Sequence, residues 1–186
     1  EITGDSNSVF LNKVSGCWND LAYGSGGLGV GIAIRGDASA NKVYANKSTS
    51  NYIGIQWGTT GGTGGNEVFL NAVLSSIVNS IDVAQQPVSV TNHAEIYFNT
   101  VFHNPSSTDN VGHGIDVQAS GRKAIIAGNI VWVNQLPGGQ LNCNGMYVSD
   151  TSSNIESVRM GYNAVGGIDG AMLGRRIGTD ATTQHY

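Results

Sequence analysis

Six short segments of the chain close on asparagine: "SVFLN" (8–12), "KVYAN" (42–46), "EVFLN" (67–71), "EIYFN" (95–99), "IIAGN" (125–129) and "RMGYN" (159–163). The closing residues Asn12, Asn46, Asn71, Asn99, Asn129 and Asn163 are 34, 25, 28, 30 and 34 positions apart. Self-similarity at a period of this size marks a stacked repeat, in which each unit buries its apolar face only against its neighbours. Two further elements keep step with the asparagines. An aliphatic residue follows two positions later (Val14, Val73, Val101, Val131, Val165), with Ser48 as the exception. Between the asparagines lie "GIAI" (31–34), "GIQW" (54–57), "SIDV" (80–83), "GIDV" (114–117) and "GMYV" (145–148).

Counting back from each closing asparagine, the third position reads Val9, Val43, Val68, Ile96, Ile126 and Met160, an aliphatic column. The fourth reads Ser8, Lys42, Glu67, Glu95, Ile125 and Arg159, mostly polar. Alternation at period two identifies strands with one buried face. In the middle element Ile32, Ile55, Ile81, Ile115 and Met146 form one column, and Ile34, Trp57, Val83, Val117 and Val148 another. No helical periodicity competes, and 27 glycines with 3 prolines suit tight turns between short strands. The expected fold is all-β: a single-stranded parallel β-helix, a solenoid of about six coils of 25–34 residues with three strands per coil. The repeats are expected over 1–165. Residues 166–186 break the pattern and are expected to form a tail that caps the last coil, with "GAMLGRR" (170–176) as a short helix.

The asparagine column has two physical uses. Asn tolerates the left-handed backbone of a sharp bend, and its amide can bond to the Asn above and below in a ladder. The glycosylation-type triplet Asn46-Lys47-Ser48 falls on this column and is read as a ladder member.

With their "N-x-V-x-x-N" and "GI-x-V" elements, the repeats resemble those of the pectate-lyase-like superfamily of right-handed parallel β-helices, over residues 5 to 165. That superfamily includes polysaccharide lyases, glycoside hydrolases, epimerases, phage tailspikes and adhesins. The resemblance implies right-handed coiling, an extracellular setting and a carbohydrate ligand. It does not specify an activity.

Function in a solenoid belongs to outward columns and long loops. Three loops are long: 16–29, 103–113 and 134–144. They are expected to share one edge and carry Trp18, Asp20, Tyr23, His103, Asp109, Asn110, His113, Asn142 and Asn144. Beside that edge runs the outward column Ala33, Gln56, Asp82, Asp116 and Tyr147. Asp82 and Asp116 fall in consecutive coils, about 4.8 Å apart at the backbone. Carboxylates held that close raise one pKa or recruit a cation.

Three functional readings stand beside that of two solvated surface aspartates. As a hydrolase pair, one carboxyl protonates the leaving oxygen while the other attacks or activates water. As a lyase site, the pair holds Ca²⁺ against a uronate carboxylate, with Lys123 or Arg122 as base. As a cation site, it is purely structural. The candidate catalytic residues are thus Asp82, Asp116 and His113, whose "GHGI" (112–115) resembles a motif of polygalacturonase-type hydrolases. That family's paired aspartates and its "RIK" element are missing. Trp18, Tyr23, His103 and Tyr147 are the candidate substrate-binding residues. Phe10, Tyr44, Phe69 and Tyr97 line up at the second position before the asparagine, as either a sugar-stacking platform or a structural ring ladder.

A net charge of −4 with no basic run gives nucleic acid and anionic membranes no electrostatic hold. No apolar run approaches the length that spans a bilayer. "GSGGLG" (24–29) lacks the helix a phosphate loop requires. Cys17 and Cys143 lie four coils apart, about 19 Å at the strand spacing, against a disulfide reach of about 7 Å. The start at Glu1 fits a processed secreted protein or a fragment, and open strand edges at the coil ends favour end-to-end or lateral self-association. A polysaccharide-cleaving enzyme and a non-catalytic glycan-binding or structural module, of adhesin or tailspike type, both remain open.

Overall fold

The computed structural model describes residues 1–17, 29–35, 38–57, 65–83, 94–104, 112–118, 124–134, 143–149, 158–168 and 175–177. Among them the chain is strand and turn, with no helix. In chain order the strands are β1 (Ser8–Phe10), β2 (Lys13–Ser15), β3 (Val30–Ile34), β4 (Lys42–Tyr44), β5 (Lys47–Thr49) and β6 (Ile53–Trp57). There follow β7 (Glu67–Phe69), β8 (Ala72–Ser76), β9 (Asn79–Val83), β10 (Ala94–Tyr97), β11 (Thr100–His103) and β12 (Gly112–Gln118). The last are β13 (Ala124–Ala127), β14 (Ile130–Asn134), β15 (Cys143–Ser149), β16 (Val158–Gly161), β17 (Ala164–Ile168) and β18 (Arg175–Ile177).

Every third strand stacks on the last, in parallel. The first sheet is β1-β4-β7-β10-β13-β16, the second runs from β2 to β17 and the third from β3 to β18. The chain is therefore a parallel β-solenoid with three faces, and the strand pairings follow the columns read from the sequence. Val43 pairs with Val68, Ile96 with Val68 and Ile126, and Ile115 with Ile81 and Met146. The third sheet continues through β18, beyond the boundary expected at residue 165. Arg175 and Arg176 are strand, not helix; the rest of "GAMLGRR" lies outside the described residues.

The core is what these columns enclose. Val43, Val68, Ile96 and Ile126 from the first sheet, Val73, Val101 and Val131 from the second, and Ile55, Ile81, Ile115, Trp57, Val83 and Val117 from the third form one buried cluster. Each such aliphatic side chain contributes about 1.5–3 kcal/mol through removal from water. Ser48, the exception in its column, is also buried. Its hydroxyl donates to Gly54 O (3.0 Å) and accepts from Asn51 Nδ2 (2.8 Å), so the polar atom is satisfied.

The asparagine ladder is present, with one correction. The residues in the left-handed region are those preceding the asparagines: Leu11, Ala45, Leu70, Phe98 and Tyr162 at φ 54–58, and Gly128 at φ 65. The asparagines do not supply the bend. They turn inward, and each backbone N–H and side-chain amide donates to Oδ1 of the next: Asn12 to Asn46, Asn46 to Asn71, Asn71 to Asn99, Asn99 to Asn129 and Asn129 to Asn163, at 2.9–3.1 Å. From Asn46 onward, each amide also reaches back to a strand carbonyl of the preceding coil, as Asn99 does to Val68 O. Five residues upstream runs a shorter ladder, Asn7–Asn41–Asn66, built the same way. Ala94 and Ala124 continue that column as buried methyls.

Where the second and third sheets meet, glycine is required. A Cβ on Gly114 would lie 2.4 Å from Val131 Cγ1 and 2.5 Å from Gly145 O, and one on Gly54 would lie 2.3 Å from Val73 Cγ1. Gly161 has nothing within 4 Å of its Cβ direction. Gly114→Ala should therefore cost about 3 kcal/mol through forced displacement of packed backbone, while Gly161→Ala should be neutral or slightly stabilising. Urea unfolding of the two variants checks this; equal midpoints would contradict the close approach.

Candidate functional site

The third sheet positions the outward column. Ala33 of β3 pairs with Gln56 of β6, Gln56 with Asp82 of β9, Asp82 with Asp116 of β12, and Asp116 with Tyr147 of β15. The two aspartates are thus in register on adjacent strands, about 4.8 Å apart at the backbone. They lie on the strand face opposite the core residues Ile81 and Val83. They are not solvated surface groups, however: Gln56, Asp82 and Asp116 are each 4% exposed.

Amides hold both carboxylates. Gln56 Nε2 donates to Asp82 Oδ2 at 2.8 Å, and Asn79 Nδ2 donates to Asp116 Oδ2 at 3.1 Å. Asn79 Oδ1 in turn accepts the backbone N–H of His113 at 3.0 Å. Burial pushes the Asp82 carboxyl up to about 6, against the lowering effects of the Gln56 and Asn79 amides and the Arg35 guanidinium. The cause is desolvation of the charged form. The Gln56 side chain was legible in the column, and Asn79 sits three residues before Asp82, but nothing in the residue pattern alone marks either as a carboxylate partner.

The two histidines correct the sequence expectation. His103, expected in a loop as a substrate contact, is the last residue of β11 and is wholly buried. Its Nδ1 lies 3.2 Å from Ser80 Oγ, and a Cβ on Gly112 would come within 2.7 Å of its Nε2. Burial, and secondarily the nearby His113, lower its pKa to about 3. His103 is therefore a neutral core residue at the corner between sheets. His113, expected at a loop exit, lies inside β12 and is 2% exposed. Its ring stacks on Tyr147 at 4.3 Å between centroids with planes 6° apart, and burial lowers its pKa to about 4. The stack brings His113 beside the residue paired to Asp116. Of the expected site residues, Asp82, Asp116, His113 and Tyr147 thus gather on the third sheet, and His103 does not join them. Trp18, Asp20, Tyr23, Asp109, Asn110, Arg122, Lys123 and Asn142 lie outside the described residues.

The aromatic column is a ring ladder. Phe10–Tyr44, Tyr44–Phe69 and Phe69–Tyr97 stack at 5.1, 4.9 and 4.9 Å with planes within 9°. Ring faces spent on one another are not available to sugar rings, which decides between the two readings of this column for its interior members. Tyr97 Oη donates to Glu67 Oε2 at 2.5 Å, and Glu67 pairs with Lys42 at 3.2 Å, so the ladder's polar edge is also engaged. Cys17 is a free, half-buried thiol.

No group of three or more His, Cys, Asp or Glu side chains suited to a metal occurs among the described residues. Among the described residues the column gathers two carboxylates and the Gln56 amide oxygen, while calcium takes six to eight oxygens, waters among them. The fold and this column define a parallel β-solenoid with a buried acidic pair on one face. No known protein family, no characterised protein and no solved structure matches the chain.

Proposed function

We propose that the chain is an extracellular carbohydrate-active β-helix protein of the pectate-lyase-like kind, acting on its glycan as a hydrolase. The observation that carries this reading is the register pairing of two buried carboxyls, one of which, Asp82, is pushed up by burial. Asp82, raised to about 6, retains a proton at mildly acidic pH beside Asp116 on the next coil. Paired groups of this kind divide acid and base roles. Asp82 donates its proton to the glycosidic oxygen as the bond to the anomeric carbon breaks. Asp116 attacks that carbon or removes a proton from the attacking water. The amides of Gln56 and Asn79 fix the two carboxyls, and the His113–Tyr147 stack borders Asp116. The lyase reading needs a base and a cation over a uronate carboxylate, and its expected bases, Lys123 and Arg122, lie outside the described residues.

A second reading, a non-catalytic glycan-binding or structural module, is supported by the 4% exposure of both carboxyls. A screen of the protein on neutral and uronic polysaccharides separates the two. For the hydrolase, Asp82→Asn and Asp116→Asn each lower kcat/KM by roughly 10²–10⁴-fold, and the wild-type rate falls as pH rises above about 6. Unchanged rates in both variants would remove the site. Glycan binding with no turnover at any pH would leave the module.

A further inference from the structure

Along the outward column two buried acceptors stand without donors. Gln56 spends one amide N–H on Asp82 Oδ2, while Gln56 Oε1 and Asp82 Oδ1 are buried with no hydrogen-bond partner. Buried acceptors without donors are costly, and they recover that cost when a ligand brings donors to them. Ala33, paired beneath Gln56, adds only a methyl. Above Asp82 stands the second carboxyl, Asp116. Among the described residues the cation acting on Asp82 is Arg35, and the two make no ion pair. We propose that Gln56 Oε1 forms a subsite beside Asp82 that accepts a hydroxyl donor of a neutral sugar residue, leaving Asp82 Oδ1 for the glycosidic oxygen, so that the glycan bound here is neutral and uronates are excluded.

This rests on the glycan-acting reading of the same column and adds its substrate class. A uronate carboxylate placed about 5 Å from the Asp116 carboxylate meets like charge worth roughly a hundredfold in binding at the effective dielectric of a protein site. Gln56 touches the sugar but not the reacting bond, which makes it a specificity residue. Its loss raises KM for neutral glycans, and it also lowers kcat because the same amide holds Asp82.

The test is equilibrium binding and turnover of xylo- and gluco-oligosaccharides against oligogalacturonates of matched length, by the wild-type protein and by Gln56→Met. Neutral oligosaccharides should bind roughly a hundredfold more tightly than uronic ones, and Gln56→Met should weaken neutral binding about tenfold. Should Gln56→Met fail to fold, Gln56→Glu takes its place and should widen the discrimination against uronates. Uronates bound as tightly as neutral glycans, or neutral binding unaffected by either variant, would overturn the subsite. Cleavage of uronates alone would overturn it and keep the hydrolase; neutral binding without cleavage would support it and remove the hydrolase. No binding of any neutral glycan overturns it outright.

Discussion

Asn99→Leu is expected to lower the stability of the solenoid by about 4 kcal/mol, an effect set by what the amide leaves behind. Leucine matches asparagine closely in shape, so packing changes little. The Asn71 backbone N–H and side-chain amide both lose Oδ1 of residue 99, at 3.0 Å each. The carbonyls of Val68 and Tyr97, and Oδ1 of Asn129, lose a donor. Tyr97 O keeps Leu70 N–H, Asn129 Oδ1 keeps the residue-99 backbone N–H and the Asn71 amide keeps Val43 O. The buried Asn71 backbone N–H is stripped of its side-chain acceptor, a loss of about 1–3 kcal/mol added to the weakened bonds. Asn12→Leu, at the outer end of the ladder where the side chain is exposed, should cost no more than about 1 kcal/mol. Urea midpoints for the pair decide the matter, and similar losses at both positions would mean that the ladder does not stabilise through its interior bonds.

The second large effect is acid lability. His103 and His113 have folded pKa values of about 3 and about 4, below the unfolded 6.5. The unfolded chain therefore binds more protons in this window. Their contribution is fully present above pH 6.5 and is lost as pH falls toward 4, by about 3 kcal/mol for each. Asp82 works in the opposite sense. Its folded value of about 6 lies above the unfolded 3.8, so its protonation favours the folded state as pH falls through 6. That offsets up to about 3 kcal/mol. The net expectation is a loss of about 3 kcal/mol between pH 7 and 4, with His103→Asn flattening the slope. Stability that rises on acidification, or a variant with the full wild-type slope, would refute the assignment of the two buried rings.

The strands, their order and their register were legible because they repeat: a column of like residues at each offset from an asparagine fixes both face and pairing. The short Asn7–Asn41–Asn66 ladder could have been read the same way, at a constant five residues before Asn12, Asn46 and Asn71. Three features were not legible. Period-two alternation says which face Asp82 and Asp116 occupy but not how much water reaches that face. His103 closes a strand where a bulge shifts its pairing to Ser76, and a residue at such a boundary reads as loop. The left-handed backbone falls on Leu11, Leu70, Phe98 and Tyr162, residues for which nothing in their type predicts it. Each costs about 1–2 kcal/mol there, a strain the neighbouring asparagine bonds hold in place.

The ladder also sets how the molecule bears load. Its amide bonds and the parallel strand bonds all run from one coil to the next, so successive coils are linked in series along the axis. Tension along the axis passes through every link, and a coil at the end of the stack, bonded on one side only, peels first. The chain would then lengthen in unequal increments of 34, 25, 28, 30 and 34 residues, the intervals of the ladder. Each increment releases roughly 85–115 Å of extended chain. Mechanically the solenoid is a row of weak links of graded length, compliant along its axis although its core is closely packed.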